Sequence, residues 1–148
     1  MPATSTLDTL IDLATDERDA AASALGRLQQ ARRASEQKLQ ALVDYRAEYQ
    51  RRFDDAMADG MSMSSLQNYQ RFVASLEQAI DHQRRALDTS ERHVETGNSN
   101  WRARQRRLNS FDVLATRRRD AAAKTEAKRE QRQTDEFASR ALFVGSGR

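Results

Sequence analysis

Apolar residues recur at alternating steps of three and four along two long stretches of this chain, and the alternation breaks once, at Asp59-Gly60. The first seam passes through Leu7, Ile11, Ala14, Arg18, Ala21, Leu25, Leu28, Arg32, Ser35, Leu39, Leu42, Arg46, Tyr49, Phe53 and Ala56, with eleven of fifteen positions apolar. The second passes through Leu66, Tyr69, Val73, Leu76, Ile80, Gln83, Leu87, Ser90, Val94, Gly97, Trp101, Arg104, Leu108, Phe111 and Ala115. A repeat of about 3.5 residues keeps one stripe of a helix turned toward one partner. The pattern therefore predicts an all-α chain of two long helices folded into an antiparallel coiled-coil hairpin.

Composition agrees. With 148 residues, 38% of them hydrophobic, 32% charged and a single proline, the chain is poor in the mixed apolar content of a rounded core and well suited to elongated helices. It has no cysteine, which excludes disulfides, thiolate metal sites and cysteine nucleophiles and suits a reducing compartment. The start, MPATSTLDTLIDLATDE, places acids early and lacks the uninterrupted apolar stretch of an export signal. No window approaches the roughly 20 apolar residues of a membrane span. A cytoplasmic protein, free or peripherally attached to a membrane, is the expectation.

One domain over residues 1–148 is expected, with helix one at about 6–57, a turn at 58–64, helix two at about 65–142 and a flexible end at 143–148. Asp8 and Asp12 suit the positive end of the first helix dipole, Asp59-Gly60 favours a turn, and Ser64 with Gln67 has capping-box spacing for the second helix. Folding back at that turn brings Leu7 near Ala115, where the second seam loses its apolar face. Two independent ends thus agree on a hairpin within one chain. The same register sets Trp101 against Ala20, Ala21, Ala22 and Ala24, and sets Arg46 near Glu77 and Arg32 near Asp88 and Glu91. Gly97-Asn98-Ser99-Asn100 is the weakest helical stretch, and a kink or loosened turn is expected there. Past Ala115 the Ala, Glu, Lys, Arg and Gln content supports a helix that continues beyond its partner.

Catalytic constellations are missing. His82 and His93 lie about three turns apart on one helix, too far to share a metal, and the five glycines form neither a phosphate-cradling loop nor a dinucleotide fingerprint. Asp54, Asp55 and Glu48 fall on solvated faces, which lack the burial that general acid-base tuning needs. The chain is expected to be no enzyme and to hold no cofactor.

Charge is uneven behind a net +3: residues 1–100 hold 12 basic and 16 acidic side chains, residues 101–148 hold 13 and 6. The basic end, with Arg117, Arg118, Arg119, Lys124, Lys128, Arg129 and Arg132, points to an acidic partner such as nucleic acid, anionic lipid or an acidic protein surface. Residues 112–136 contain no aromatic to stack on bases, which disfavours nucleic acid. Near the bend, Leu42, Tyr45 and Tyr49 of helix one approach Phe72, Leu76 and Ala79 of helix two. Tyr45 and Phe72 lie beside the seam rather than on it, a candidate docking patch.

Several segments together resemble the flagellar FliJ export family: LDTLIDLA, ALVDYRAEYQ, NYQRFVASLEQAIDHQ, Trp101 followed by RQRRL, and DEFASRA. A generic coiled coil would match the heptads but not these off-seam aromatics. The resemblance implies a non-enzymatic antiparallel two-helix protein of the flagellar type III export apparatus. It would bind the hexameric export ATPase through the open end of the hairpin, promote ring assembly and coupling, and touch the membrane-embedded export gate and the export chaperones. The family's gate contacts correspond to Leu42, Tyr45, Tyr49, Phe72, Leu76 and Ala79. Two family positions differ here, where Lys38 precedes Leu39 and the order is His82-Gln83. The basic stretch would meet acidic groups of the ring. The competing readings are a nucleic-acid-binding or a self-associating coiled coil that uses the basic C-terminal third.

Overall fold

The computed structural model describes residues 2–146, with side chains over 6–145. The chain is all-α, two long helices packed against each other: α1, Pro2–Asp59, and α2, Met63–Ser146. No strand occurs among the described residues. Proline suits the first position of α1, where a missing N–H leaves no helical bond unmade. Because α1 begins there, Asp8 and Asp12 lie beyond the first turn and do not act on the helix terminus.

The connection is shorter than expected and takes only residues 60–62. Gly60 carries it with a φ of 95°, a left-handed conformation natural to glycine, while its N–H donates to the Met57 carbonyl at 3.2 Å. Ser62, not Ser64, caps α2. The Ser62 Oγ accepts the Ser65 N–H at 3.2 Å and the Ser62 carbonyl accepts the Leu66 N–H at 3.0 Å. Helix α2 also outruns its expected end near residue 142 and continues to Ser146. The expected flexible end therefore lies in helix over 143–146, and its last two residues fall outside the described ones.

Two compact units divide the chain: Arg18–Arg104, and Met1–Glu17 with Gln105–Arg148. In the unit spanning Arg18–Arg104, every seam position from Arg18 to Ala56 and from Leu66 to Arg104 is buried or half-buried. Ile80, only 1% exposed, forms its centre, and Ala21 and Leu76 are buried with it. Gln83 interrupts the apolar seam and is itself buried. Its side-chain amide donates to both the carbonyl and the Oγ of Ser35 on the facing helix, each at 2.9 Å.

Helix α2 passes without interruption through Gly97–Asn100 in place of the expected loosened turn. A methyl group built on Gly97 would stand 2.7 Å from Leu28 Cδ1 and 3.5 Å from Leu25 Cδ1. Close approach to helix α1 is thus what this glycine provides, and packing offsets its poor helix propensity. One turn further along α2, Trp101 is half-buried.

Two seam arginines, Arg18 and Arg32, find acids on their own helix. Arg18 grips the neighbouring Asp19 at 2.8 Å, and Arg32 stands 4.0 Å from Glu36. Asp88, expected opposite Arg32, pairs with Arg92 at 2.8 Å, and no ion pair joins Arg46 to Glu77 among the described residues. A partner one turn away requires less ordering of a long side chain than one across a seam.

In the other unit, Leu7 and Ala14 of α1 and Leu108 of α2 are buried, with Ile11, Phe111 and Ala115 half-buried around them. Arg107 reaches Glu17 at 3.7 Å and lies over the Phe111 ring at 5.8 Å. From residue 116 to residue 145, α2 is exposed at every position.

Candidate functional site

Five aromatic rings gather near the bend in the Arg18–Arg104 unit. Tyr45, Tyr49 and Phe53 follow one another at four-residue steps along α1, while Tyr69 and Phe72 lie three apart on α2. Interleaving makes a ladder: Phe53 stacks on Tyr69 at 3.6 Å between centroids, Tyr69 on Tyr49 at 5.2 Å, and Tyr49 meets Phe72 at 4.4 Å. Tyr45 closes it edge-on against Phe72 at 6.0 Å. Stacked and edge-to-face pairs of this kind are worth about 0.5–1.5 kcal/mol each beyond the area they bury. The ladder therefore holds its outer rings in place without covering them.

Solvent reaches the six sequence-predicted patch residues unequally. Tyr45 is 47% exposed and Phe72 37%, and Ala79 is exposed beside them. Tyr49 and Leu42 are half-buried, and Leu76 is buried in the seam, where it supports the surface from below. A partner would thus touch Tyr45, Phe72 and Ala79 first.

Phe53 and Tyr69 stood outside the patch expected from the sequence, although they are seam positions just as Tyr49 is. Their aromatic type and four-residue spacing to Tyr49 and Val73 were the available signal. The Tyr69 hydroxyl donates to Gln50 Oε1 at 2.7 Å. Burial, followed by the negative charge of Asp54 and then Tyr49 and Glu77, raises the pKa of this phenol above its ordinary value.

The basic residues belong to the other unit. Arg117, Arg118, Arg119, Lys124, Lys128, Arg129 and Arg132 are all exposed. Arg117, Lys124, Lys128 and Arg132 advance by seven, four and four, which puts them along one side of α2. At the base of this stretch an open cleft of about 680 Å³ has an apolar floor of Leu7, Ile11, Ala115 and Ala122, with Asp8 and Arg119 among its rim. An acidic surface fitted to the stripe would gain charge pairing without stripping a buried ion of its water.

His82 and His93 are exposed, and among the described residues no three His, Cys, Asp or Glu side chains form a metal-holding group. Among the described residues no helix is long and apolar enough to cross a membrane. What the surface offers is contact, at an aromatic patch on one unit and a basic stripe on the other.

A profile described as Flagellar FliJ protein matches residues 4–146. Two curated proteins named Flagellar FliJ protein are similar over 137 residues, one from Salmonella typhi at 35% identity and one from Escherichia coli (strain K12) at 34%. Each alignment covers 93% of both chains. Among solved structures, a putative YscO homologue from Chlamydia trachomatis aligns over 100% of this chain and 96% of its own. With a TM-score of 0.49 and 14% identity, it bears on neither fold nor function.

Proposed function

The chain belongs to the flagellar FliJ family and is a component of flagellar protein export, and on that premise we propose that it acts as a non-enzymatic coupling protein with two separate docking surfaces. The basic stripe from Arg117 to Arg132 engages acidic groups of the hexameric export ATPase, favouring ring assembly and ATP turnover. The aromatic patch of Tyr45, Tyr49 and Phe72, with Leu42, Leu76 and Ala79, docks on the export gate at the cytoplasmic face of the inner membrane. Export chaperones are handed on by the same protein, which works as one coiled-coil domain. The observation that carries this reading is the uninterrupted exposure of α2 from residue 116 to residue 145, basic along one side, in a chain whose family match spans residues 4–146.

Two variants test the division of labour. The triple charge reversal Arg117→Glu, Arg118→Glu, Arg119→Glu should abolish stimulation of the export ATPase while leaving binding to the isolated cytoplasmic part of the gate intact. Tyr45→Ala with Phe72→Ala should do the reverse. Unchanged ATPase stimulation in the charge-reversed protein contradicts the ring contact, and unchanged gate binding in the aromatic variant contradicts the gate contact.

A further inference from the structure

The last turns of α2 carry the most exposed large apolar side chains among the described residues. Phe137, Leu142 and Val144 are each 75% exposed and Phe143 is 81% exposed. They follow a long polar stretch and owe nothing to the seam, which ends at Ala115. At about 100° per residue, Phe137, Ala138, Ala141, Leu142 and Val144 fall on one side of the helix. Lys128, Arg129, Arg132, Ser139 and Arg140 occupy the other side and its edges, together with Glu136 and Phe143. Over 117–146 there are eight basic and five acidic side chains.

We propose that this terminal segment is a surface-seeking helix whose apolar side enters the headgroup boundary of an anionic lipid bilayer. Phe137, Leu142 and Val144 reach the acyl edge while Arg129, Arg132 and Arg140 lie level with the lipid phosphates. An amphipathic end with phenylalanine and leucine on one side and basic residues on the other is suited to that boundary, and each basic side chain near an anionic leaflet adds about 1 kcal/mol. A second copy of the chain fits less well. The patch is eight residues long, about 12 Å of helix, and two such tips laid together fall short of the roughly 1,000 Å² that a stable protein interface buries. A bilayer needs no matching shape. This contact goes beyond the protein docking proposed above and does not depend on it.

The test uses the purified full chain and vesicles free of any protein. Sedimentation is compared for vesicles of phosphatidylcholine alone and of phosphatidylcholine with about one third phosphatidylglycerol. The intact chain should partition onto the anionic vesicles and much less onto the neutral ones. The variant Phe137→Ser, Leu142→Ser, Val144→Ser should lose about tenfold or more of that partitioning. Because these positions are exposed, its thermal unfolding should match that of the parent chain. No binding of the intact chain to anionic vesicles, equal binding to both compositions, or equal binding by the variant would each overturn the proposal. Since the vesicles contain neither ATPase nor gate, none of these results bears on protein docking.

Discussion

Gln83 offers the sharpest quantitative prediction about how the two helices hold their register. Its amide is 6% exposed as a residue and makes two cross-helix hydrogen bonds to Ser35, both at 2.9 Å. Each such bond contributes about 0.5–1.5 kcal/mol net, so the pair accounts for about 1–3 kcal/mol. Truncation to alanine also removes the packing of the side chain in the seam. Gln83→Ala should therefore lower stability by about 2–4 kcal/mol. Gln83→Leu keeps the volume and removes the polar group together with its need for a partner, so its loss should be under about 1.5 kcal/mol. Ser35→Ala removes one bond only, because the Ser35 carbonyl remains as acceptor. A double-mutant cycle between the two positions should then show a coupling of about 1 kcal/mol. Urea unfolding followed by far-ultraviolet dichroism measures all four proteins, and a second probe such as Trp101 fluorescence checks that the transition is a single one. A Gln83→Ala protein within about 0.5 kcal/mol of the parent, or a coupling near zero, would refute the argument that this polar pair specifies register.

Gly97 and Tyr69 yield two further expectations. Gly97→Ala gains about 1 kcal/mol of helix propensity and needs only the tip of Leu28 to turn aside, since the added methyl would meet Leu28 Cδ1 at 2.7 Å. The net change should stay within about 1 kcal/mol, whereas Gly97→Leu should push the helices apart and lose about 1–3 kcal/mol, both read by thermal unfolding. Tyr69 holds its proton more tightly in the folded chain than in the unfolded one. Its contribution is therefore complete below the ordinary phenol range near 10 and is lost as pH rises through the higher folded value. Stability measured from neutral to strongly alkaline pH should fall in that window, and less steeply in Tyr69→Phe. An equal slope in both proteins would contradict this assignment.

The helices and their seams were legible because period and burial are the same fact seen twice: a residue that returns every three or four steps lies on the covered side. Even polar members such as Arg18, Ser35 and Gln83 fell where the spacing put them. The turn was visible in Asp59-Gly60, but its cap was not. Ser62, Ser64 and Ser65 are all competent, and the choice depends on where the chain re-enters helical geometry. Gly97 misled for a related reason, since propensity describes a lone helix while the close approach of Leu25 and Leu28 belongs to the pair. Arg32 pairs with Glu36 on its own helix because a register fixes which residues face each other, not which of several acids a long side chain chooses. Tyr45 and Phe72 could be singled out beside the seam. Phe53 and Tyr69 were missed because the ring-on-ring stacking that joins them to Tyr49 depends on the pairing of the two helices, and the apolar end at Phe137–Val144 was hidden because it has no repeat to announce it.

The central claim is that this chain couples to the export ATPase through the exposed basic length of α2. It is tested most directly by steady-state ATP hydrolysis of the cognate ATPase, alone, with the full chain, and with a chain ending after Ala115. The described residues of the removed segment, up to 145, are all exposed, so the truncated protein should fold as the parent does over the part that remains. Stimulation by the full chain that disappears on truncation is the predicted result. Equal stimulation by both proteins, or none by the full chain, would contradict the account.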